Sequence, residues 1–492
     1  MNDFDVVVVG GGINGSGLAR DLAGRGWRVL LAEAQDLASH TSSASTKLVH
    51  GGLRYLETYE FALVRKSLQE REVLLRSAPH LIRPLRFVLP HAPHLRPAWL
   101  IRLGLFLYDH LARRELLPGS RGLRLAGSVY GAPLKPEFRR GFAYSDGWAD
   151  DARLVVANAL DAQARGAEVL TRCAVTRAVR GADWRVTLQD GRELRSRALV
   201  NATGPWAECF LREHAQDAGG RPLPARGLRL VKGSHIVVAQ RFTHDHAYLF
   251  QNPDGRILFA IPYEGRFTLI GTTDVELPAH EAPPAHAEIS AAEVDYLCAQ
   301  ASRYLARPVA PSDVLWRYAG VRPLLDEGGS ASRATRDYLL ETDAGAAPLL
   351  NVWGGKLTTY RKLAEDGATQ LGALLGELRR PWTQGATLPG GDLGAHGLDL
   401  AAFTAELQTR HPDRPPPLVA RLARAYGSAA PGLLAAPAGA EVAPGLFESE
   451  LRHLADHEWA RDAEDVLWRR SKLGLHYTAA QRAAVAAWFG AS

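Results

Sequence analysis

Residues 41–57, which read TSSASTKLVHGGLRYLE, combine hydroxyl side chains, a lysine, a histidine, two adjacent glycines and an Arg–Tyr pair. Such a segment offers many hydrogen-bond donors with little side-chain volume, which suits contact with a large polar ligand. The hydroxyls could equally cap a helix or stabilise a loop. Arg54 carries a planar fork suited to carboxylate or phosphate, but an arginine also forms surface ion pairs, so this residue alone does not decide.

This segment follows a dinucleotide-binding pattern. Val6–Val9 form a continuous β-branched run, which predicts a parallel strand buried on both faces. Gly10, Gly12 and Gly15 then satisfy GxGxxG, for a tight turn, close approach to a pyrophosphate and close helix packing. The helix that follows would present free N–H groups to that pyrophosphate. WRVLLAEA predicts the second strand, and Glu33 at its end is close to the offset of about 20 residues expected for a ribose-binding acid.

Two features of the sequence distinguish between NAD, NADP and FAD as the predicted cofactor. An acid rather than an arginine after the second strand disfavours NADP, and no convincing second fingerprint follows downstream. LVNATGPW, residues 199–206, predicts another strand that ends in small residues and returns the chain to the same nucleotide. This split arrangement resembles FAD oxidoreductases whose flavin lies extended through the domain. FAD is therefore the predicted cofactor, and the small donors of residues 41–57 would line its ribityl chain and ring.

Composition excludes several other classes. A chain of 492 residues with 46% hydrophobic and 23% charged residues predicts two or three globular domains. Cys173, Cys209 and Cys298 lie far apart in the sequence, which argues against disulfides and a zinc site. The two histidines of HAPHLRP have no carboxylate or cysteine beside them, so the segment is interpreted as a loop and not as a metal site. MNDFDVVVVG is no signal peptide, and no apolar run reaches the roughly 18–20 residues of a membrane span. The net charge of +5 suits an anionic substrate, a membrane face or nucleic acid without deciding between them.

Motifs along nearly the whole chain carry a more specific resemblance. TSSASTKLVHGGLRYLE is followed in order by HLRPAWLIRLGLFLYDHL, DDARLVVANA, LVNATGPW, KGSHIVV, IGTTDVE, GVRPL, TRDY, GGKLTTYRKLAE and DHEWARDAEDVLWRRSKLGL. The set resembles the FAD-dependent, membrane-associated sn-glycerol-3-phosphate dehydrogenase family of aerobic bacteria. The resemblance implies an α/β fold (α+β overall). Its parts would be a Rossmann-like FAD-binding domain of the glutathione-reductase/D-amino-acid-oxidase type, an antiparallel-sheet substrate domain and a C-terminal helical domain.

The expected domain ranges are discontinuous. The FAD-binding domain takes residues 1–75, 145–225 and 320–385, the substrate domain takes 76–144 and 226–319, and the helical domain takes 386–492. Within the substrate domain SHIVV, AYLFQ, RILFAIP and FTLIGTTD alternate around the turns NPDG and YEGR, which predicts an antiparallel sheet over the flavin. His235, Thr272, Thr273 and Asp274 would project from its strand ends into the cleft.

The resemblance implies a substrate pocket lined by Arg54, Tyr55, His235, Thr272, Arg322, Arg336 and Lys356. A phosphate dianion needs several donors at once, so the four cations in this set are expected to converge. The expected cofactor-binding residues are Gly10, Gly12, Ile13, Asn14, Gly15, Glu33, Ala34, Thr41, Ser42, Ser43, Ser45, Thr46, Lys47, His50, Gly51, Gly52, Leu53, Ala202, Thr203, Gly204, Gly354, Gly355, Lys356, Leu357 and Thr358. NVWGGKLTTYRKL predicts a strand, a glycine turn and a helix start, whose positive end and Lys356 would favour flavin reduction.

The reaction that the resemblance implies is oxidation of sn-glycerol 3-phosphate to dihydroxyacetone phosphate, with a hydride passed to FAD and electrons passed to a membrane quinone such as ubiquinone. The alcohol proton needs a base, and His235 is the first candidate because imidazole titrates near neutral pH. A buried, purely structural histidine is the alternative. Arg322 would orient and stabilise the alkoxide, and Lys356 completes the expected catalytic set.

Two regions bear on location and assembly. Residues 97–114, PAWLIRLGLFLYDHLARR, suit either an interfacial membrane helix or a helix packed on the core. The implied location is the cytoplasm, peripherally on the inner face of the bacterial cytoplasmic membrane. A glycine-rich break near Pro389 precedes Ala-, Leu- and Arg-rich helical sequence, interpreted as a structural or oligomerising cap, which allows for a homodimer. No EF-hand loop occurs.

Three rival functions remain open from the sequence. A glycerol-3-phosphate oxidase would use the same scaffold and pass electrons to O2. An FAD-dependent oxidase of the D-amino-acid oxidase type would share the FAD half, although its amine/carboxylate substrate does not call for four cations. A non-enzymatic flavoprotein that binds RNA or membrane is disfavoured because the cations fall in cleft motifs rather than in a stripe, so no nucleic-acid partner is expected.

Overall fold

The computed structural model describes residues 3–92, 95–278, 282–326 and 337–491; His94 of HAPHLRP and Arg336 lie outside them. The helices are α1 (Ile13–Gly24), α2 (Phe61–Ser77), α3 (Ala98–His110), α4 (Asp151–Ala164), α5 (Ala207–Cys209), α6 (Ala291–Ser302), α7 (Tyr360–Leu374), α8 (Leu400–Arg410), α9 (Pro416–Tyr426), α10 (Ala430–Ala435), α11 (Glu448–His457) and α12 (Ala479–Ala491). The strands are β1 (Phe4–Val9), β2 (Val29–Ala32), β3 (Leu48–Val49), β4 (Ile82–His91), β5 (Arg121–Arg124), β6 (Arg140–Ala149), β7 (Glu168–Leu170), β8 (Val175–Arg180), β9 (Trp184–Leu188), β10 (Glu193–Asn201), β11 (Ala215–Asp217), β12 (Leu228–Ala239), β13 (Ala247–Gln251), β14 (Ile257–Tyr263), β15 (Phe267–Gly271), β16 (Val275–Glu276), β17 (Val314–Leu325), β18 (Leu339–Asp343), β19 (Leu349–Trp353), β20 (Glu441–Ala443) and β21 (Leu446–Phe447).

The first sheet is the predicted nucleotide-binding unit. Strands β7, β2, β1, β10 and β19 are parallel in that order, and β9, β8, β11 and β18 extend the edges. Val6, Val7 and Val8 of β1 are fully buried, as their uninterrupted β-branched run predicts. Helices α1, α4 and α7 pack together on one face. Since β10 pairs in parallel with β1, the strand predicted from LVNATGPW is confirmed, and its small residues follow at the same edge of the sheet as the GxGxxG turn.

The second sheet contains the four strands predicted between residues 227 and 274. They lie in the order β12, β15, β14, β13, and β4, β6 and β3 continue the sheet beyond β13. Strand β17 pairs with β12 along the opposite side over eleven residue pairs. Helix α6 covers one face with Leu297 and Ala301, which are fully buried. An α/β fold with an antiparallel second layer is therefore confirmed.

Sheet membership differs from the expected domain ranges at two points. Strand β6 runs to Ala149 and β17 runs to Leu325, and both belong to the second sheet. Strand β3, inside the range assigned to the FAD-binding domain, also pairs with β6. The expected breaks at 144/145 and 319/320 thus fall inside continuous strands of the second sheet, where no turn residues mark a boundary.

The C-terminal region after residue 382 is helical, as expected. Helices α8 to α12 enclose a core of their own that includes Val419, Leu422, Leu451 and Val485. A two-stranded β20–β21 hairpin precedes α11. This region packs on the nucleotide-binding unit, where Arg153 of α4 forms a buried ion pair with Glu458.

Helix α3 has two different faces. Ile101, Leu105 and Tyr108 are buried against the second sheet, whereas Trp99 and Phe106 are 69% and 52% exposed. The buried face agrees with the interpretation as a helix packed on the core, and the interfacial membrane interpretation stays a prediction. Among the described residues, no helix has the length and apolar character needed to cross a bilayer.

Candidate active site

A cavity of about 1470 Å³ lies between the two sheets. It begins at Gly10 and Glu33, at the carboxyl ends of β1 and β2, and extends to His235 and Phe259 in the second sheet. Sites for a single small ligand usually measure about 300–1000 Å³. The cavity is therefore large enough for a dinucleotide together with a small substrate.

The nucleotide end depends on close backbone packing. A Cβ built on Gly15 would lie 1.9 Å from the carbonyl oxygen of Gly10, so no side chain fits between α1 and β1. Ser42 Oγ accepts a hydrogen bond from Ile13 N at 3.0 Å, which caps the start of α1. Glu33 accepts from Gly11 N at 2.6 Å, and burial raises its pKa. The acid thus fixes the glycine turn and borders the cavity.

These residues fit an extended FAD. Gly10 and Gly12 border the cavity at the start of α1, where a pyrophosphate would meet the helix N-terminus. Asn14 Nδ2 donates to Gly354 O at 3.1 Å, while its Oδ1 is buried with no hydrogen-bond partner among the described residues. A buried orphan acceptor beside the Gly354–Gly355 turn is explained by a donor on a bound ligand. A flavin has such a donor in its ring.

The hydroxyl-rich segment is held mainly by the protein itself. Thr41 Oγ1 donates to Val321 O at 2.6 Å, Ser43 Oγ donates to His40 O at 3.2 Å, and Ser45 Oγ donates to Asp151 at 2.7 Å. The hydroxyls therefore stabilise the loop, and most of them still border the cavity. Their small size leaves room for a ligand, as the sequence predicts.

Most expected residues border the cavity. These are Gly10, Gly12, Ile13, Asn14, Glu33, Ala34, Thr41, Ser42, Ser45, Thr46, His50, Gly52, Leu53, Arg54, Tyr55, Ala202, Thr203, Gly204, His235, Thr272, Arg322, Gly354, Gly355, Lys356, Leu357 and Thr358. Arg336, which falls in the TRDY motif, lies outside the described residues.

Four expected cofactor residues stand behind the cavity wall. Gly15 packs on the Gly10 carbonyl, and Ser43 turns to the backbone of its own loop. Lys47 is fully buried and its Nζ lies 2.8 Å from Asp151 Oδ1. Gly51 N donates to the hydroxyl of Tyr108 at 2.8 Å. These residues support the lining, and a sequence motif does not distinguish support from contact.

Arg322 is oriented by two neighbours at the cleft. Its Nη2 donates to Thr272 Oγ1 at 2.9 Å, and its Nη1 pairs with Asp274. Thr273, which was expected to project into the cleft, instead donates to Glu293 Oε1 at 2.9 Å inside the second domain. The pairing leaves the guanidinium of Arg322 partly exposed at the cavity, where it can meet an anionic oxygen.

The imidazole of His235 is enclosed by both neighbouring strands. A Cβ built on Gly271, its cross-strand partner in β15, would lie 2.1 Å from His235 Cδ2. On the β17 side the Tyr318 ring stacks on the imidazole, with centroids 4.8 Å apart and planes 13° apart. His235 Nε2 lies 2.9 Å from Thr46 Oγ1, and Nδ1 has no hydrogen-bond partner within the described part of the chain. The ring therefore has a fixed orientation, and its buried Nδ1 makes no hydrogen bond to the described residues.

Burial lowers the pKa of His235 well below its usual value, and the positive charges of Arg322 and Lys47 lower it further. The imidazole is accordingly neutral at neutral pH, which is the form that accepts a proton. The expected titration near neutral pH is therefore wrong for His235, and the case for it as the base depends on its neutral form and its place on the cavity wall.

The remaining two cations of the expected set within the described residues are Arg54 and Lys356. Arg54 lies in the helical turn Leu53–Leu56, and Lys356 follows the glycine turn after β19, where the predicted strand, turn and helix are confirmed. Lys356 Nζ lies 3.8 Å from the centroid of the Tyr55 ring. Arg54, Arg322 and Lys356, which are far apart in sequence, thus border one cavity.

Sequence reasoning missed several polar residues of the cavity. Lys135, Asn252, Arg256 and Arg303 border it on the side of the second sheet. They come from a loop, a hairpin turn and the end of α6, and none belongs to a motif that signals chemistry. Proximity to the cavity is the property that identifies them, and it depends on the tertiary fold.

Comparison with known proteins agrees with this geometry. A family model described as FAD dependent oxidoreductase matches residues 5–361, and one described as the C-terminal domain of alpha-glycerophosphate oxidase matches residues 382–489. A glycerol-3-phosphate dehydrogenase of Pseudomonas aeruginosa is 52% identical, over 97% of this chain and 93% of that protein. A D-erythritol 1-phosphate dehydrogenase of Brucella abortus is 47% identical, over 99% of this chain and 97% of that protein.

A solved structure extends the likeness to the whole fold. The glycerol-3-phosphate dehydrogenase of Bacillus halodurans, complexed with FAD, superimposes with a TM-score of 0.78 at 28% identity, covering 99% of this chain and 90% of that one. Motifs, cavity and comparisons therefore agree on one assignment. The chain belongs to the family of FAD-dependent glycerol-3-phosphate dehydrogenases, and its cofactor is FAD.

Proposed function

We propose that the protein oxidises sn-glycerol 3-phosphate to dihydroxyacetone phosphate and passes the electrons to a membrane quinone. The observation that carries the proposal is that Arg54, Arg322 and Lys356 border the same cavity as the neutral His235, and that this cavity fits FAD. A phosphate dianion and a secondary alcohol are the groups that such a set recognises.

Bound FAD supplies the acceptor for the hydride that leaves the secondary alcohol carbon. The hydroxyl proton goes to the neutral imidazole of His235, which borders the cavity and is oriented by the contact of its Nε2 with Thr46 Oγ1 at 2.9 Å. Arg322, held by Thr272 and Asp274, stabilises the negative charge that develops on the same oxygen. Arg54, Tyr55, Thr272 and Lys356 bind the substrate.

Anaerobic reduction tests this function. Adding sn-glycerol 3-phosphate to the purified flavoprotein should bleach the visible flavin band, and a quinone analogue should restore it. If D-erythritol 1-phosphate bleaches the band with a higher kcat/KM than sn-glycerol 3-phosphate, then D-erythritol 1-phosphate is the substrate. If O2 reoxidises the flavin as fast as the quinone analogue does and yields stoichiometric peroxide, the protein is an oxidase. A band that neither polyol phosphate bleaches would contradict the proposal.

We propose that α3 places the protein on the inner face of the cytoplasmic membrane, next to its quinone. Trp99, Leu103 and Phe106 form an exposed apolar surface, and the same helix carries the exposed Arg102, a composition suited to an anionic lipid face. The Phe106→Glu substitution should release the protein from anionic phospholipid vesicles in a sedimentation assay. Leu378→Glu, at another exposed leucine, is the matched control, and equal release of both variants would refute the assignment.

A further inference from the structure

The C-terminal region is joined to the nucleotide-binding unit by buried charges. Arg470 Nη1 and Nη2 both lie 2.7 Å from the carboxylate of Asp36, three residues after Glu33, and Arg469 Nε lies 2.6 Å from the same group. The side chains of Arg470 and Asp36 are 0% and 1% exposed. This contact fixes the short helical segment Asp465–Arg470 against the loop that borders the nucleotide end of the cavity.

The same segment carries an aromatic ring toward the other end of the cavity. Trp468 stacks on Trp316 of β17, with centroids 4.5 Å apart and planes 14° apart. Trp316 contacts Tyr318 on the same face of that strand at 4.9 Å, and Tyr318 stacks on His235 at 4.8 Å. The four rings therefore form a continuous series of contacts from the C-terminal region to the cavity wall, stacked at both ends and tilted by 40° between Trp316 and Tyr318; this series is called the stack below.

We propose that Trp468, through the stack of Trp316 and Tyr318, is a positioning residue for His235, so that the C-terminal region forms part of the active-site framework. The inference rests on the proposed function in one respect, namely that His235 is the base. It gives the C-terminal region a role in the reaction besides that of a structural cap.

The contacts of His235 and Tyr318 explain how the outer rings of the stack affect the orientation of the imidazole. His235 has the backbone of Gly271 on one side and the Tyr318 ring on the other, so its tilt follows the position of that ring. Tyr318 is held at its hydroxyl, which donates to Ser45 O at 2.9 Å, and at its ring by Trp316. Removing the outermost indole leaves Trp316 free to shift outward, and Tyr318 with it.

The backbone around Trp468 is itself fixed. Lys472 Nζ is buried and donates to Trp468 O at 2.5 Å. Arg469 and Arg470, the next two residues, hold Asp36. The indole is thus presented from a rigid support, which is the condition for a ring at this distance to orient another.

The test compares Trp468→Leu with Trp488→Leu. Both tryptophans are partly buried and pack against the same C-terminal core, but Trp488 is not in the stack. The rate of flavin reduction per bound FAD should fall about 10-fold in Trp468→Leu, because misplacement of a reacting group by about 1 Å can cost on the order of 100-fold. The substrate concentration at half-saturation should stay within about twofold of wild type. Trp488→Leu should reduce at the wild-type rate, and Trp468→Phe, which restores a stacked ring, should recover most of the loss.

A second measurement does not require the reaction. In protein labelled with ¹⁵N-histidine, the imidazole resonances of His235, assigned with His235→Gln, should shift in Trp468→Leu and not in Trp488→Leu. If wild-type flavin is not reduced by sn-glycerol 3-phosphate but this shift appears, the substrate is wrong and the positioning role stands.

Two results would overturn the proposal. One is a Trp468→Leu protein with wild-type reduction rate and unshifted His235 resonances. The other concerns a second variant, which is used if Trp468→Leu does not retain FAD. Trp316→Leu interrupts the stack inside β17, and a wild-type reduction rate in this variant would refute the positioning role.

Discussion

Substitution of Gly271 by alanine tests the placement of the base. The new Cβ would lie 2.1 Å from His235 Cδ2 and 2.7 Å from Cγ, whereas ordinary carbon contacts begin near 3.4 Å. The imidazole must therefore move by about 1 Å, and the Tyr318 ring at 4.8 Å blocks a simple translation away from the new methyl group.

The expected cost divides between catalysis and stability. A shift of about 1 Å in a reacting group can lower the rate by on the order of 100-fold, and an added methyl in a packed core costs about 1–3 kcal/mol of unfolding free energy. Gly271→Ala should therefore retain FAD, fold, and show flavin reduction about 100-fold slower than wild type. Its half-saturating substrate concentration should change little, since the cations are untouched.

Stopped-flow absorbance under anaerobic conditions measures this rate per bound flavin. Gly122→Ala is the control, because it also lies in a strand but its added Cβ would meet no atom within 4 Å. A Gly271→Ala protein that reduces within threefold of wild type would refute the placement of His235 at the reacting centre.

Three further outcomes follow from the same contacts. Arg322→Met should lower kcat/KM by about 100- to 1000-fold in steady-state assays, because it removes a donor at the developing alkoxide; a normal kcat would exclude it from that role. Asp36→Asn should lower the unfolding free energy by about 3–5 kcal/mol in denaturant titrations, because buried Arg470 loses the carboxylate at both of its Nη atoms and keeps only the longer contact of Nε with the Glu458 carboxylate at 3.9 Å as an ion pair among the described residues; a loss under 1 kcal/mol would contradict this. Burial alone would raise the pKa of Glu458, but Arg153, with the hydrogen bond from His453 and the charge of Arg470, outweighs it and lowers the pKa to about 2, so the stabilisation is present above pH 4.5 and lost as pH falls toward 2. Glu458→Gln should flatten this part of the pH–Tm curve, and an unchanged acid slope would refute the assignment.

Local patterns were sufficient for much of the fold. The GxGxxG turn, the buried run Val6–Val9 and the alternating strands after residue 227 are each specified by neighbouring residues, so their elements were predicted from short windows. The glycine turn before Lys356 is of the same kind. Such signals require no knowledge of which distant segment packs against them.

The orientation of side chains could not be predicted in the same way. Lys47 occurs in a donor-rich segment, yet it turns inward to Asp151, which is 104 residues away in sequence. Thr46 reaches His235 across 189 residues, and Trp468 reaches Trp316 from the other end of the chain. These contacts depend on the packing of two sheets and the C-terminal region, and no periodicity in the sequence encodes the pairing.

The measurement that tests the account most directly is the reduction rate of His235→Gln with saturating sn-glycerol 3-phosphate. Glutamine keeps a side chain of similar reach but cannot accept the alcohol proton, and a general base typically contributes about 100- to 10,000-fold. If His235 is the base, the rate should be at least 100-fold below wild type, with FAD retained and the half-saturating substrate concentration nearly unchanged. Reduction at close to the wild-type rate across the pH range would contradict it, and the histidine held between Gly271 and Tyr318 would then be structural.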